Sequence, residues 1–448
     1  MEKILTIDEY YTTEKLTPYF VNEIKEFEKV VYEMVKVMNE IHGTNYSYRF
    51  WKLLLIGYIN EQLQQRQPLS EKLKEDGFSI QQTVIPKLIY SIRSFQNVGS
   101  YSKIIQSLKT QDKITYGFHE SESISNEVSA AMPTHYPLIF RKGDTSKREK
   151  AWQIAERYSD IFYKNVIRRV PKTFVEHFQY QFDLAELHNP AAKVFHISIF
   201  LSDFMKILVA KYVENGALLY IYQHGGGAGE VKDRANFHDA SMSDKNITWG
   251  WKIHDNEVPH KAFRCFKFKK IYEASSHKKT IDVLFAFNVI GEHATYYKDF
   301  MKNLLDNLSK ERYKNIVARP RVLKRWEDAK PQLNFIENKN VTIESGRAKA
   351  PALAARTKIV VTFTWWSPQT LFAECCFVNQ PVVSFVREVD YTTIFKPYYD
   401  FFIEQKAFHE SWESLVDHLN NTDLDKWWAD LIKHPMYKSY KHTFVRED

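Results

Sequence analysis

Apolar residues recur at helical spacing between residues 18 and 66: Val21, Ile24, Phe27, Val30, Val31, Met34, Val35 and Met38, then Trp51, Leu54, Leu55, Tyr58 and Ile59. The run His-Gly-Thr-Asn at 42–45 interrupts them, so the pattern predicts an opening helical hairpin. From about residue 85 the texture changes. Short apolar runs rich in β-branched and aromatic residues stand at 87–92, 193–200, 217–223 and 246–251, and helical stretches at 149–165 and 202–214 separate them. That alternation predicts parallel βαβ units. A polar passage at 252–261 reads as an inter-domain connection. Beyond it, strands are predicted at 280–288, 315–320, 341–345, 358–364 and 381–386, with helices at 293–309 and 367–377 and a helical, aromatic-rich tail at 407–441.

The expected fold class is therefore α/β, with two Rossmann-like domains facing across a cleft and helical additions at both ends. The expected boundaries are 1–255, 256–410 and 411–448. A chain of 448 residues is too long for one ordinary core, which agrees with this division. Aromatics are abundant (Phe 31, Tyr 26, Trp 10) while glycine and proline are few, which excludes disordered and collagen-like classes. The first residues are acidic where a secretory signal would be basic and apolar, and no run of about 18 apolar residues follows. The expectation is a soluble cytoplasmic protein. Cys265, Cys375 and Cys376 lack metal-ligand spacing and read as packing residues in a reducing compartment.

Charge adds a hint of ligand chemistry. The net charge is only +7, but basic residues gather at 141–150, 165–172, 260–270 and 319–326. A phosphate-bearing small ligand, an anionic membrane surface or nucleic acid would each suit such clusters.

The sharpest local signal is Gln223-His224-Gly225-Gly226-Gly227, with Gly229 close behind. Four of the chain's 14 glycines fall here, directly after a buried-strand pattern. Glycines let a backbone reach positive φ and approach a ligand closely. Neither a G-x-G-x-x-G fingerprint nor a Gly-Lys-Ser/Thr loop is present, so dinucleotide and Walker readings fall. His224 is a candidate base or anion ligand, because imidazole titrates near neutral pH. Glu230, Asp233, His238 and Asp239 follow as further acid–base candidates.

Arg319 and Arg321 end a predicted strand two residues apart, and guanidinium forks suit phosphate or carboxylate. After the next long strand comes Thr364, then Ser367-Pro368, a favourable N-cap followed by proline at the first helical position. The predicted helix start would present Ser367, Gln369 and Thr370 to an anion. Glu374 lies two turns beyond Ser367 on the same face, where it could accept hydrogen bonds from a ribose diol.

These residues resemble those of bacterial surface-carbohydrate transferases with the two-domain glycosyltransferase B (GT-B) fold. The likeness is nearest to a polysaccharide transferase family with a QHGGG loop, an SD…ITWGW segment and a C-terminal S-T…E…N-x-P block. Here they stand as Gln223 to Gly227, Ser243-Asp244 with Ile247 to Trp251, and Ser367 to Pro381. The chain departs from the pattern in having Thr364-Trp365-Trp366 before the last block and Pro368-Gln369 between Ser367 and Thr370. More distantly the chain is similar to capsule Kdo transferases and teichoic-acid glycerophosphotransferases. The resemblance implies inverting transfer with no protein-bound metal and no cofactor. It also places donor phosphate at Ser367, Gln369 and Thr370, and the donor ribose at Glu374.

The leading expectation is a glycosyltransferase moving a CMP-linked nonulosonate or Kdo-like acid to a surface glycan or lipid-linked acceptor. Its expected setting is the cytoplasm, with peripheral contact at the inner face of the plasma membrane and no nucleic acid partner. His224, Glu230 and Asp239 are the catalytic candidates. Arg319, Arg321, Thr364, Ser367, Gln369, Thr370 and Glu374 are the donor-binding ones, beside the loop residues Gln223, Gly225, Gly226 and Gly227. The rival readings are polyol-phosphate transfer and a non-enzymatic protein that binds RNA or membranes.

Overall fold

The computed structural model describes residues 18–66, 143–186, 193–196, 203–223, 225–232, 234–288, 294–321, 341–344, 348–363, 370–386 and 391–447. The strand expected at 87–92 lies outside them. The described chain divides into two compact units, the first holding 18–221 and 238–245, the second 222–237 and 246–447.

The first unit opens with the hairpin, α1 (Pro18–His42) and α2 (Tyr48–Arg66). Its apolar stripes meet in one core: Phe27, Val30, Met34, Trp51, Leu54 and Ile59 are fully buried. The polar break forms a turn because Asn39 fastens it. Its Oδ1 accepts the Tyr46 N–H (2.9 Å) and the Trp51 Nε1–H (2.8 Å).

The single helix expected at 149–165 is two helices, α3 (Thr145–Ala155) and α4 (Ile161–Arg168). Asp160 causes the break by capping α4, accepting the Phe162 N–H at 2.8 Å. α5 (Phe178–Glu186), β1 (Lys193–His196), α6 (Asp203–Glu214) and β2 (Leu218–Tyr222) come next. β1 and β2 are parallel, with Lys193 opposite Leu218. α7 (Arg234–Met242) returns the chain to this unit. There Asp244 takes both the Leu219 N–H (2.6 Å) and the Arg49 guanidinium (2.9 Å).

The chain enters the second unit along β3 (Lys245–Thr248), at Asn246, and β3 and β4 (Glu257–Pro259) are a parallel pair. The passage 252–261 is thus not only a connection. The Glu257 carboxylate accepts the Ile253 and His254 N–H groups (2.5 and 2.7 Å), which folds the polar residues into a tight turn feeding β4. α8 (Phe263–Glu273) falls where the sequence showed only a basic cluster.

Next come β5 (Ile281–Asn288), α9 (Ala294–Asn307), β6 (Ile316–Arg321), β7 (Val341–Ile343), α10 (Ala350–Ala355), β8 (Thr357–Phe363), α11 (Thr370–Phe377), β9 (Val382–Phe385), α12 (Lys396–Glu404) and β10 (Phe408–His409). The six strands β5 to β10 form one sheet in the order β7-β6-β5-β8-β9-β10, parallel throughout. That is the doubly wound order, whose topological switch point lies between β5 and β8. Continuous apolar runs such as Val283 to Phe287 and Ile359 to Val361 are buried, as strands covered on both faces require.

The helical tail is part of this unit. α13 (Trp412–Asn421), α14 (Leu424–Leu431) and α15 (Pro435–Phe444) end the chain, with Leu415 and Leu419 in the sheet's core. The Tyr437 hydroxyl donates to the Cys376 carbonyl (3.0 Å), and the Tyr440 ring lies among Phe372, Phe395 and Phe402. No described helix is long and apolar enough to cross a membrane.

Two histidines pack inside the tail, His409 and His418, with ring centroids 5.3 Å apart. Burial pushes their pKa values down to about 3 and about 4, so the folded state holds both neutral. Depressed histidine pKa values add stability that is complete above the unfolded value near 6.5 and is lost as pH falls toward 4. His418→Gln should therefore remove about 1.4 kcal/mol per pH unit from the acid-side slope of stability between pH 6 and 4.5. Urea unfolding at stepped pH measures this, and an unchanged slope would exclude His418 as a source.

Candidate active site around the glycine loop

β2 delivers Gln223, and the carboxamide of that residue organises the loop beyond it. Its Oε1 accepts the Trp249 backbone N–H (2.9 Å) and the Trp251 indole N–H (2.8 Å), while its Nε2 donates to the Gly225 carbonyl (2.8 Å). The Gln223 carbonyl accepts the Trp249 indole N–H at 3.0 Å. Gln223, Trp249 and Trp251 are all buried, so the two sequence motifs, glycine loop and tryptophan segment, form one hydrogen-bonded piece.

Close approach explains the glycines. Gly227 and Gly229 sit at φ +93° and +75°, which side-chain-bearing residues rarely adopt. A Cβ on Gly229 would lie 2.3 Å from the Trp251 ring, and one on Gly225 would lie 2.7 Å from Thr370 Oγ1. The far side of the loop is held by Thr392, whose hydroxyl donates to the Gly229 carbonyl (2.6 Å) and whose N–H donates to the Glu230 carbonyl (2.9 Å).

Thr370 begins α11, which follows β8 at the switch point of the six-stranded sheet. Its hydroxyl oxygen accepts the Gly226 N–H at 3.0 Å, so the glycine loop and the helix start are in direct contact. One turn on, Glu374 is buried and receives the Nε–H of Arg264 from α8 at 2.9 Å. Burial raises its pKa, and the Arg264 and Arg319 guanidiniums pull it back.

Arg319 lies on β6 opposite Ala286 of β5. Burial lowers its pKa, opposed by the charges of Glu344 and Glu374. Its buried Nε has no hydrogen-bond partner among the described residues. A buried donor left in this way is suited to an incoming acceptor oxygen.

Glu230 is buried inside the loop, where its Oε2 accepts the Gly227 N–H (3.0 Å). Burial pushes its pKa up to about 8, against the pull of that one bond. Asp239 lies on α7 in the first unit, half-buried, next to His238, whose ring packs on Phe27 at 4.3 Å.

The second unit thus brings together Gln223, Gly225, Gly226, Gly227, Glu230 and Thr370, and couples Arg319 with Glu374 by charge. His224, Asp233, Thr364, Ser367 and Gln369 lie outside the described residues, as does the side chain of Arg321, whose backbone pairs with Asn288. Arg264 and Thr392 were not singled out from the sequence. The first sits in a basic run without distinguishing pattern, and the second acts through contacts far away in the chain. No group of three or more His, Cys, Asp or Glu among the described residues could hold a metal ion.

An all-parallel sheet in this order makes the second unit a doubly wound α/β fold. Over residues 59–448 the sequence matches the LIC12162 family transferase, and the chain belongs to that family. No curated protein matches it.

Among solved structures it is similar to the wall teichoic acid polymerase TagF, at 12% identity and TM-score 0.30, over 51% of this chain and 64% of that one. It is also similar to TarM, at 12% identity and TM-score 0.27, over 50% and 49% of the two chains. A third is the UDP-GlcNAc 2-epimerase from Neisseria meningitidis bound to UDP-GlcNAc, at 11% identity and TM-score 0.33, over 60% and 75%. The match spans less than two thirds of the TagF and TarM chains.

Gln223→Leu should cost about 3–5 kcal/mol, because it strands two buried donors and the Gly225 carbonyl. Gly229→Ala should cost about 2–4 kcal/mol through positive φ and the clash with Trp251. Urea unfolding measures both; a loss under about 1 kcal/mol in either would show that the loop is held by other contacts.

Proposed function

We propose that this transferase moves a sugar from a nucleotide-activated donor to a glycan or lipid-linked acceptor, with inversion and without a protein-bound metal, on a GT-B scaffold. The observation that carries the reading is the Gly226 N–H to Thr370 Oγ1 bond, which joins a close-approach glycine loop to the helix start at the switch point. Arg319 on β6 and Glu374 on α11 act on each other by charge and are suited to a phosphate and a ribose diol respectively. Family membership supplies group transfer, and these groups supply the donor chemistry.

In the proposed step the acceptor oxygen bonds the anomeric carbon as the bond from that carbon to the donor phosphate oxygen breaks. The acceptor proton passes to His224, and the bonding pair leaves on phosphate, where Arg319, Arg321 and the start of α11 meet its charge. Ser367, Gln369 and Thr364 are assigned to the same phosphate, and Asp239 is the alternative base. A CMP-linked acidic sugar is the donor proposed, because clustered guanidiniums suit both its phosphate and its carboxylate. The setting proposed is the cytoplasmic face of the membrane, toward which the basic runs at 141–150 and 165–172 would be drawn.

A panel of CMP-, UDP- and CDP-linked donors, followed by nucleotide release and product analysis, tests the reading. A CMP-sugar should be consumed, with sugar appearing on the acceptor. His224→Ala should lower kcat at least about a hundredfold with little change in KM. Glu374→Ala should raise the donor Kd about tenfold, worth about 1.4 kcal/mol. Turnover of CDP-polyols alone would replace sugar transfer with polyol-phosphate transfer, and absence of saturable nucleotide binding would favour a binding protein.

A further inference from the structure

Among the candidate catalytic groups, Glu230 differs in where it sits. Only 2% of it is exposed, and its carboxyl points back into its own loop to take the Gly227 N–H at 3.0 Å. Its backbone closes the same turn, since its N–H donates to the Gly227 carbonyl at 3.1 Å and its carbonyl accepts from Thr392. The next residue, Val231, bridges Tyr391.

Among the described residues, the titratable groups that feel its charge are the Tyr440 hydroxyl on α15 and the Cys376 thiol on α11, and Cys265 on α8 acts on Tyr440 in turn. Burial raises the pKa of all three, so they stay neutral; the Lys441 ammonium on α15 acts on Cys376 and Cys265 but is not among the groups that shift Glu230. The Tyr440 hydroxyl has no hydrogen-bond partner among the described residues. Among the described residues, a carboxylate ionised here keeps the Gly227 N–H bond and little else to offset its burial.

We propose that Glu230 is a positioning residue, whose neutral carboxyl holds the Gly225–Gly229 backbone against Thr370 and makes closure of the loop depend on one proton. The loop then closes best when Glu230 is protonated and loosens as pH rises. This deepens the reading of the loop as part of the donor site and rests on it for its functional meaning. The groups involved are the loop, α11 and α15, so the C-terminal helices take part in setting the ligand site.

The sign is set by burial. A carboxyl with an ordinary value near 4.5 when the loop is open and about 8 when it is closed favours closure most below 4.5. Each pH unit between those values raises the open population about tenfold, and the change levels off above 8.

Hydrogen exchange of the peptide spanning 223–232, from pH 5.5 to 9 and corrected for the intrinsic rate, reads this directly in the wild-type protein without any substrate. Protection should fall about tenfold per pH unit up to about 8 and then flatten. In Glu230→Gln, which carries a permanently neutral group of the same shape, protection should stay level with pH. In Glu230→Ala it should be low throughout. Wild-type protection that is level across the range overturns the proposal whatever the variants do, as does a slope that persists in Glu230→Gln. If the exchange behaves as expected while no nucleotide donor is bound or turned over, the transfer reading falls and the proton-dependent loop stands.

Discussion

The arrangement of the site depends on the hydrogen-bond capacity of one side chain, the carboxamide of Gln223. Two tryptophans are buried here, and each carries donors that must find acceptors in a water-free interior. Gln223 supplies its side-chain oxygen to one backbone and one indole N–H, its carbonyl to the other indole, and its amide to the loop. With these bonds made, the backbone after Gln223 is fixed in direction, and glycine at 225 and 229 becomes a steric necessity. The contact of Gly226 with Thr370 results from that fixed path.

The two buried glutamates of the second unit show how surroundings divide one chemistry into two roles. Glu374 is buried, which raises its pKa, but the guanidiniums of Arg264 and Arg319 offset part of that rise. Glu230 is buried with the Gly227 N–H as its side-chain hydrogen-bond partner among the described residues, and burial pushes its pKa up to about 8. The first belongs to an ionic group with Arg264 and Arg319. The second belongs to the scaffold that shapes the loop.

The C-terminal helices complete the same unit instead of decorating it. Gly250 sits at φ +128°, and a Cβ there would lie 2.8 Å from the carbonyls of His442 and Thr443, which places α15 directly on the tryptophan segment. The Arg446 N–H donates to the Trp249 carbonyl, and the Ala262 N–H donates to that of Arg446. Aromatic rings of α12 and α15 then pack around Phe372 of α11. Stability of the tail and geometry of the site are thereby linked through α11.

The periodicity of apolar residues determined the opening hairpin, the strands β5, β6 and β8, and the helical character of the tail, because burial on one stripe or both faces leaves a pattern in local order. Glycine excess marked the loop as unusual and Ser367-Pro368 marked an expected helix start, since composition and helix-start chemistry are local properties. Short elements such as β4 and α8 escaped the apolar periodicity, because a strand of three residues or a helix strewn with lysines has no clear period. Tertiary structure alone decided that the loop meets α11, that Arg264 rather than a ligand lies on Glu374, and that Glu230 faces inward. Those facts depend on residues more than a hundred positions apart in two of the three cases, and in the third on exclusion of water, which no stretch of sequence displays.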